Sequence, residues 1–483
     1  MKILKHKNLI IIIVIFTILY ALISFVNHYT FRTKALDLGI YTNAMYNYLH
    51  FNLSNTSGFK PTAEPILADH FDLYLILLSP LVLIFKTYAL LVAQLVALIF
   101  GGIGVYKYVS IFSKHKYLAL FSALYFYLFF GTFSSISYDY HSNVIATALV
   151  PFLLYYFHLK KIKLATLFFL LIIIAKENMA LWLVFIFIGL LIQYRKDKYY
   201  TKYLIIYLIS SISYFLIITG YVMPSLSSNN NFNQFRYSVL GENYSDALKF
   251  FFLHPFDAFV TFFTNHKNAW NGNYVKLETL LYLLLSGIFF LIKKPYYLVM
   301  LIPIFFQKFF HDQVIMWSFF GQYCIEFTSI MSIGIFLVIN DIKKSKIVHI
   351  ISFVIILFTT VVTIRVMDNT IYPSQKSLIR FYKPSHYQRD FSLDKVHKAI
   401  KSIPPLAPVS AYPVFVPHLA LRPHVYQYPL VNNAEYIIFS EHEGFYPFHS
   451  REAFNQSKKT YTDSKDWKTY YDDEGILILQ KVN

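Results

Sequence analysis

Acidic residues and histidines collect in a few short segments of a chain that is otherwise largely apolar. One segment carries Asp37, and the next carries Glu64, Asp69, His70 and Asp72. A carboxylate such as Asp37 can act as a general base on an acceptor hydroxyl. Histidine and lysine cations can stabilise the charge that develops on a phosphate leaving group. Because ionisable groups beside hydrocarbon are costly unless solvated or paired, we interpret these segments as a functional site.

Comparable polar groups recur at the ends of later apolar runs. They are Asp139, His141, Lys176, Glu177, His311, Asp312, Gln322, Tyr323 and Glu326. Two of the earlier carboxylates, Asp69 and Asp72, are spaced so that they could hold a divalent cation such as Mg²⁺ or Mn²⁺, since hard cations prefer oxygen ligands. The pattern predicts one polar site assembled from distant parts of the chain.

Each of these groups also has a purely structural interpretation. Asp37 could cap the helix that continues through Tyr41–His50. Asp69 and His70 could be a solvated loop pair, and Asp139 and His141 could sit in an ordinary short turn. Lys176 and Glu177 could form an ion pair at a helix end.

The composition is that of a polytopic α-helical membrane protein. The chain is 56% hydrophobic and 14% charged, with a mean hydropathy of +0.47, whereas soluble domains are roughly 25% charged. The net charge of +17 is explained by basic residues in cytoplasmic loops, so we predict the lipid bilayer and not nucleic acid as the partner of this charge. A lone cysteine, Cys324, excludes an intramolecular disulfide.

Apolar runs long enough to cross a bilayer predict about eleven membrane spans. We place them at residues 9–27, 88–110, 117–134, 143–158, 164–176, 178–194, 203–223, 278–292, 296–310, 322–340 and 347–366. The first run is too long for a cleavable signal and predicts an uncleaved span. Segment 71–86 is short and contains Pro80, which indicates an interfacial or re-entrant helix.

Basic clusters orient this path in the membrane. With eleven crossings, seventeen lysines and arginines fall in loops on one side, beside only Asp197 and Asp341. The positive-inside rule makes that side cytoplasmic. We therefore predict a multi-pass protein of the cytoplasmic (inner) membrane with a cytoplasmic N-terminus. The transmembrane domain is residues 1–366, with large outer loops at 28–87 and 224–277.

The remaining residues, 367–483, lose the apolar runs and predict a small extracytoplasmic α/β domain. An amphipathic helix is expected at 393–403 with Ser392 as its N-cap. Short strands are expected at 408–412, 425–428, 436–439, 468–471 and 476–480, the last two forming a hairpin around Gly475.

Several of these motifs together resemble the family of bacterial and archaeal membrane proteins catalogued as domain of unknown function 2079. The matching stretches run in order over nearly the whole chain. They are Asp37-Leu38-Gly39-Ile40-Tyr41, Asp69-His70-Phe71 with Leu78-Ser79-Pro80, His141 before a span, Lys176-Glu177-Asn178, Gln322-Tyr323 and Pro417–Pro423. The chain departs from the pattern at Gln322, where a histidine is expected, and at Asn178, where an aspartate is usual.

That family is similar to the GT-C glycosyltransferases, which transfer a sugar from a polyprenyl-phosphate carrier to an acceptor at the outer membrane face. The resemblance implies a GT-C-like fold, an inverting reaction and Asp37 as general base. From their chemistry we expect His70, His141 and Lys176 to contact the phosphate. The remaining site residues would bind or orient the substrate; they are Glu64, Asp69, Asp139, Glu177, His311 and Tyr323. The acceptor, whether glycan, lipid or protein, is left open.

Two other classes of function are consistent with the sequence. One is a transporter or flippase for a lipid-linked or polar solute, and the other is a non-catalytic membrane scaffold. Transporters usually carry inverted repeats and broken helices at the bilayer midplane. This chain has no visible repeat, and its ionisable groups lie at the ends of spans. A scaffold would tolerate replacement of the outer carboxylates.

Overall fold

The computed structural model describes residues 7–61, 63–373 and 376–482, so the predicted basic residues Lys2 and Lys5 lie outside the described residues. Every apolar segment predicted to cross the membrane is helical. Before the C-terminal region, the described α-helices of seven or more residues are α1 (Lys7–Tyr29), α2 (Ile40–Leu49), α3 (Ala89–Phe112), α4 (Leu118–Leu128), α5 (Phe130–Ile136), α6 (Ser142–His158), α7 (Ile162–Ile173), α8 (Glu177–Tyr194), α9 (Lys198–Ile217), α10 (Tyr244–Leu253), α11 (Pro255–Phe263), α12 (Val275–Leu285), α13 (Tyr296–Phe309), α14 (Ile325–Ile339) and α15 (Ser345–Asp368).

The helices differ in whether they are long enough to cross a bilayer unaided. Among the described residues, five helical segments qualify by length and composition, or six if the pair α4 and α5, bent by 44°, is one broken span. Helices α6, α7, α13 and α14 are apolar but have 10–17 residues. At about 1.5 Å per residue they are shorter than a hydrocarbon core of roughly 30 Å. The chain is therefore a multi-pass membrane protein with several short helices inside its bundle.

The loops that carry the basic clusters meet at one end of the bundle. The backbone N–H of Lys114 donates to Asn340 Oδ1 at 2.9 Å, and His115 Nδ1 lies 2.8 Å from Ser345 Oγ. Lys294 forms an ion pair with Asp341 at 3.1 Å. These contacts place loops from distant parts of the chain on a single face, as the positive-inside pattern requires.

Small residues allow the central helices to pack closely. Gly102 of α3 lies against the Tyr127 ring of α4, where a Cβ atom would collide with the aromatic carbons. The Tyr127 hydroxyl donates to the carbonyl of Ile99 at 2.6 Å. Close approach of backbones is a common way for membrane helices to associate, because hydrophobic burial does not favour their contact in lipid.

Between α1 and α3 the chain forms a series of short helices at the end of the bundle away from the basic loops. A wide helical turn, Ala35–Gly39, leads directly into α2. Segment 71–86 is broken into the short helices Tyr74–Leu77, Ser79–Leu81 and Val82–Phe85, followed by Lys86–Tyr88. The breaks follow from Pro80 and from Lys86, whose φ is 51°. The chain therefore does not form one continuous helix here.

The second large loop contains helices α10 and α11, which expose an apolar surface. Phe252 is 81% exposed and Phe256 is 75% exposed. The preceding stretch, 227–238, is polar and turns toward the first loop, where Ser228 Oγ donates to Glu64 Oε1 at 2.5 Å. The loop thus combines an apolar helical pair with a polar arm.

The C-terminal region forms a mixed sheet with two longer helices. The five expected strands and the helix expected at 393–403 are present. The second helix, Arg451–Thr462, was not predicted, and Ser392 makes no side-chain capping bond to the first. Its strands are β1 (Val409–Ala411), β2 (Val425–Gln427), β3 (Tyr436–Ser440), β4 (Trp467–Asp473) and β5 (Ile476–Lys481), and its longer helices are α16 (Leu393–Ser402) and α17 (Arg451–Thr462). The strand order is β2-β1-β3-β5-β4. Strands β2, β1 and β3 are parallel, whereas β5 runs antiparallel to β3 and β4.

This C-terminal region packs directly on the first loop. Asn43 Nδ2 donates to the carbonyls of Ala420 at 2.9 Å and Arg422 at 3.0 Å. The N–H of Gln427 donates to the carbonyl of Gly58 at 2.7 Å. Because these bonds are made by backbone groups of the tail, the first loop is held between the helical bundle and the sheet.

Candidate functional site

Asp37 lies in the wide turn Ala35–Gly39, at the end of the bundle away from the basic loops. Its side chain is 23% exposed, and it makes no helix-capping bond, so the capping interpretation does not describe its contacts. The carboxylate that hydrogen-bonds the backbone of this turn is Asp139. Its Oδ2 accepts the backbone N–H of Lys34 at 2.9 Å and of Leu38 at 3.4 Å. Asp139 therefore positions the turn that presents Asp37.

Two ring side chains contact the Asp37 carboxylate. The Tyr138 hydroxyl donates to Oδ2 at 3.0 Å, and His141 Nε2 lies 4.0 Å from Oδ1. The two rings stack with centroids 5.7 Å apart and an angle of 4° between their planes. One loop, which connects α5 to α6, thus supplies both a hydrogen bond to Asp37 and a nearby imidazole.

Gln94 of α3 holds that loop in place. Its Oε1 accepts the backbone N–H of His141 at 2.9 Å, and its Nε2 donates to the carbonyl of Asp139 at 2.9 Å. The side chain is fully buried. Neither Gln94 nor Tyr138 was predicted from the sequence to be a functional residue. Gln94 could have been recognised as an isolated polar side chain inside a strongly apolar helix. For Tyr138 the sequence offered only that it lies next to Asp139.

A second acid–histidine pair forms between the first loop and the start of α8. His70 Nδ1 lies 3.1 Å from Glu177 Oε1, and the N–H of Phe71 donates to Glu177 Oε2 at 3.1 Å. Glu177 is buried, whereas His70 is 24% exposed. Since the carboxylate binds Nδ1, the imidazole is oriented with Nε2 free of that contact, which is the usual way a carboxylate orients a working histidine.

Lys176 supplies positive charge to the centre of the site. Among the described residues, no carboxylate lies within ion-pair distance (4.0 Å) of its ammonium group. Burial is the largest influence on the pKa values of Asp37, Asp69 and Asp72, and the Lys176 charge acts against it at all three. Lys176 is therefore within electrostatic reach of several acids without being neutralised by direct contact, so the ion pair with Glu177 that its sequence position suggested is not formed.

Burial dominates the electrostatics of the Asp37 region. It raises the pKa of Asp37, against the Tyr138 hydrogen bond and the charges of Lys34, Lys176 and His70. Burial, and then the charge of Asp37, raise the pKa of Asp139. Burial also lowers the pKa of His141 well below its ordinary value, with Lys176 and His70 acting in the same direction. His141 is thus a neutral imidazole beside a carboxylate of increased basicity.

The polar arm 227–238 of the second loop closes one side of the site. Gln234 Nε2 donates to Asp69 Oδ1 at 3.0 Å, while Lys60 pairs with Asp69 Oδ2 at 2.8 Å. Burial raises the pKa of Asp69, but His70 and Lys60 outweigh it and lower the value to about 2. Asp69 is therefore ionised and occupied by cationic and amide partners.

Tyr323 and Arg236 lie on another side of Asp37. Both Asp37 and Arg236 are close enough to the Tyr323 phenol to act on it electrostatically. Arg236 belongs to the polar arm, and its exposed side chain was not among the residues singled out in the sequence. Nothing in the local pattern distinguishes it from other loop cations; only the path of the second loop brings it here.

Glu64 and His311 are at the margin of this arrangement. Glu64 Oε1 accepts the N–H of Ser228 at 3.0 Å. His311 Nδ1 accepts the N–H of Gln313 at 3.0 Å, and its ring meets the edge of Tyr237 at 5.2 Å. Both residues connect to the polar arm or to its neighbours, and neither contacts Asp37 directly.

The residues first considered for a divalent cation have other partners. Asp72 accepts the N–H of Tyr74 at 2.9 Å and the Tyr140 hydroxyl at 3.3 Å, whereas Asp69 is bound to Lys60 and Gln234. Within the part of the chain that the structure describes, no three histidine, cysteine or acidic side chains are grouped as a cation would need. The pair Asp69 and Asp72 therefore does not fit a metal site.

The fold and the site together define a class: multi-pass membrane proteins that gather acidic and basic side chains at one end of a helical bundle, beneath a small C-terminal sheet. Within this class, a family model described as "Predicted membrane protein (DUF2079)" matches residues 27–478, and the chain belongs to that family. A search of the curated proteins found no match.

Proposed function

We propose that this protein is a GT-C-like glycosyltransferase that moves a sugar from a polyprenyl-phosphate carrier to an acceptor hydroxyl at the outer face of the cytoplasmic membrane. The observation that carries the proposal is the environment of Asp37. A partly exposed carboxylate, hydrogen-bonded by Tyr138, faces a region where Lys176, His70 and Lys34 supply positive charge. A base beside positively charged groups, two of which (Lys34 and Lys176) have no ion-pair partner among the described residues, suits a reaction with an anionic leaving group.

In the proposed step the acceptor oxygen forms a bond to the anomeric carbon of the sugar, and the bond from that carbon to the carrier phosphate breaks. The hydroxyl proton passes to Asp37. The electron pair of the broken bond remains on the polyprenyl phosphate, which leaves as the anion. Attack opposite to the leaving group inverts the anomeric configuration.

The raised pKa of Asp37 makes it a stronger base than an exposed aspartate, provided that it remains ionised at the working pH. Tyr138 keeps the carboxylate oriented through its hydrogen bond. Asp139, through the N–H groups of Lys34 and Leu38, keeps the whole turn in position. Asp139 is thus a positioning residue and Asp37 the catalytic residue.

The leaving phosphate is assigned to the cationic groups around the carboxylate. Lys176 would neutralise phosphate oxygens, because no carboxylate of the described residues is in direct contact with it. His70 gives its Nδ1–H to Glu177, so it would donate from Nε2 only in the imidazolium form. Neutral His141 would donate a hydrogen bond and not a full charge. In the topology that we propose, with about eleven crossings, these groups lie at the extracytoplasmic ends of the helices and the basic loops are cytoplasmic.

The test is transfer by the purified full-length protein, supplied with a panel of radiolabelled polyprenyl-phosphate sugars and a membrane-lipid acceptor extract. Release of polyprenyl phosphate and appearance of labelled product are measured together. Asp37→Asn is expected to abolish both without a change in melting temperature. Asp341→Asn is the matched control, since it removes a carboxylate from the opposite end of the bundle. Wild-type turnover by folded Asp37→Asn protein would refute the assignment.

A further inference from the structure

A cavity lies at the end of the bundle where the basic loops meet. Its volume is about 630 Å³, within the range of roughly 300–1,000 Å³ that is usual for small-molecule sites. The start of α1, the end of α3, the α3–α4 connection and the start of α4 form its walls. Its principal polar lining residues are Lys7, Ser110, Lys114, Lys116 and Tyr117.

This cavity is far from the candidate functional site. Helix α1 runs from Lys7, which lines the cavity, to Tyr29, close to the turn that carries Asp37. At about 1.5 Å per residue, its 23 residues separate the two regions by roughly 33 Å. A ligand of this cavity would therefore be distinct from the substrate proposed for Asp37.

The cavity is electropositive. Among the described residues that line it there are three lysines and His115, and no carboxylate. Within the described part of the chain, Lys7, Lys114 and Lys116 form no ion pair with an acidic side chain. Both ring nitrogens of His115 already have protein partners: Nδ1 lies 2.8 Å from Ser345 Oγ and Nε2 lies 3.0 Å from the carbonyl oxygen of Ile342. The positive charges of the three lysines are therefore available to an anionic ligand. The His115 contacts hold the loop that carries Lys114 and Lys116.

An aliphatic surface continues from the cavity along α1. Ile10, Ile11 and Val14 are 46%, 46% and 50% exposed, and Ile15 and Ile18 continue the same outward surface. In a membrane helix such a surface faces lipid acyl chains. A ligand that joins an anionic head to hydrocarbon would match both parts: the head at Lys7, Lys114 and Lys116, and the chains along α1.

We infer that this cavity binds the phosphate-bearing head group of an anionic phospholipid. Three lysines in a cavity of head-group size, open beside an exposed aliphatic helix surface, select a negatively charged lipid over a zwitterionic one. Basic pockets between membrane helices bind anionic head groups in this way. Ser110 and Tyr117 add hydroxyl groups to the lining, which can hydrogen-bond phosphate or glycerol oxygens. The inference is independent of the glycosyltransferase proposal.

The experiment uses full-length protein in detergent and titrates short-chain phosphatidylglycerol, short-chain phosphatidylcholine and inorganic phosphate, with bound ligand measured by native mass spectrometry. The double variant Lys114→Gln/Lys116→Gln removes two charges from the cavity. The matched control, Lys343→Gln/Lys346→Gln, removes two charges from exposed lysines in a neighbouring basic loop that do not line it. Melting temperature is measured for both variants.

The inference predicts that phosphatidylglycerol binds the wild type and the control alike and binds the cavity variant about 30-fold more weakly, as expected for two lysines at a membrane surface. Phosphatidylcholine should bind at least tenfold more weakly than phosphatidylglycerol. Equal losses in the two variants would show general surface charge and overturn the site. Inorganic phosphate binding as tightly as the lipid would overturn the lipid assignment, as would equal binding of the two lipids.

Discussion

The carboxylate of Asp139 accepts the backbone N–H of Lys34 at 2.9 Å, which joins the loop before α6 to a turn more than one hundred residues earlier in the chain. The same oxygen accepts the N–H of Leu38. Asp37 lies between these two donors. The position of the proposed base therefore depends on a second carboxylate that does not touch the substrate in the proposed reaction.

Asp139→Ala should both destabilise the protein and suppress transfer. The substitution leaves the N–H groups of Lys34 and Leu38 without their acceptor, at an expected cost of about 1–3 kcal/mol for each buried donor left unpaired. Asp139→Asn retains an oxygen acceptor and should fold like the wild type. Melting temperature and transfer rate are the measurements. An alanine variant as stable and active as the asparagine variant would show that the two hydrogen bonds do not hold the turn.

Tyr138→Phe should shift the acidic limb of the pH–rate profile to higher pH. The Tyr138 hydroxyl donates to Asp37 and lowers its pKa. Without that bond the pKa rises, so the base is protonated at a higher pH and activity is lost earlier on acidification. A hydrogen bond to a charged group predicts a shift of roughly one pH unit. Tyr41→Phe is the control, since Tyr41 is buried nearby without a hydrogen bond to Asp37. An unshifted profile in Tyr138→Phe would argue against Asp37 as the titrating group.

Asp72→Asn should change how stability depends on pH. Burial raises the pKa of Asp72 to about 7, from 3.8 for an ordinary aspartate. The folded state therefore keeps a proton that the unfolded chain releases. The stability gained from this proton is complete below about pH 4 and is lost as the pH rises through about 7.

Asparagine cannot ionise and still accepts the N–H of Tyr74, so the melting temperature of Asp72→Asn relative to wild type should increase between about pH 4 and about pH 7. The slope in free energy is at most about 1.4 kcal/mol per pH unit. Asp72→Ala, which has no acceptor, should be less stable than Asp72→Asn throughout. A constant difference between Asp72→Asn and wild type would contradict the raised pKa.

Gly58→Ala should loosen the C-terminal region from the first loop. A Cβ atom at Gly58 would collide with the carbonyl oxygen of Val425, which is backbone of β2 and cannot rotate away. The hydrogen bond from Gln427 to the Gly58 carbonyl would then be disturbed. Limited proteolysis should cut the C-terminal region faster in this variant. Gly220→Ala is the control, because nothing lies within 4 Å of the added atom; equal protection in both variants would refute the predicted collision.

The apolar helices of the bundle and the five strands of the tail could be predicted because their signals are local. An apolar run forms a helix in lipid, since a helix satisfies its own backbone hydrogen bonds. Alternating residues around Gly475 form the β4–β5 hairpin for a similarly local reason. The acid–histidine segments could be recognised for the same reason, because charges beside apolar runs are visible residue by residue.

The roles within the site were not predictable, because they depend on contacts between distant residues. Asp139 was expected to meet substrate, yet its carboxylate binds the backbone of the Asp37 turn. An ion pair between Lys176 and Glu177 was one interpretation of their sequence positions, yet Glu177 binds His70 and Phe71. Gln94 reaches the site because α3 packs against the loop of Asp139 and His141. Arg236 reaches it because the second loop passes near Tyr323. A side chain's partner is set by the geometry of the packed helices, and spacing along the chain does not contain that geometry.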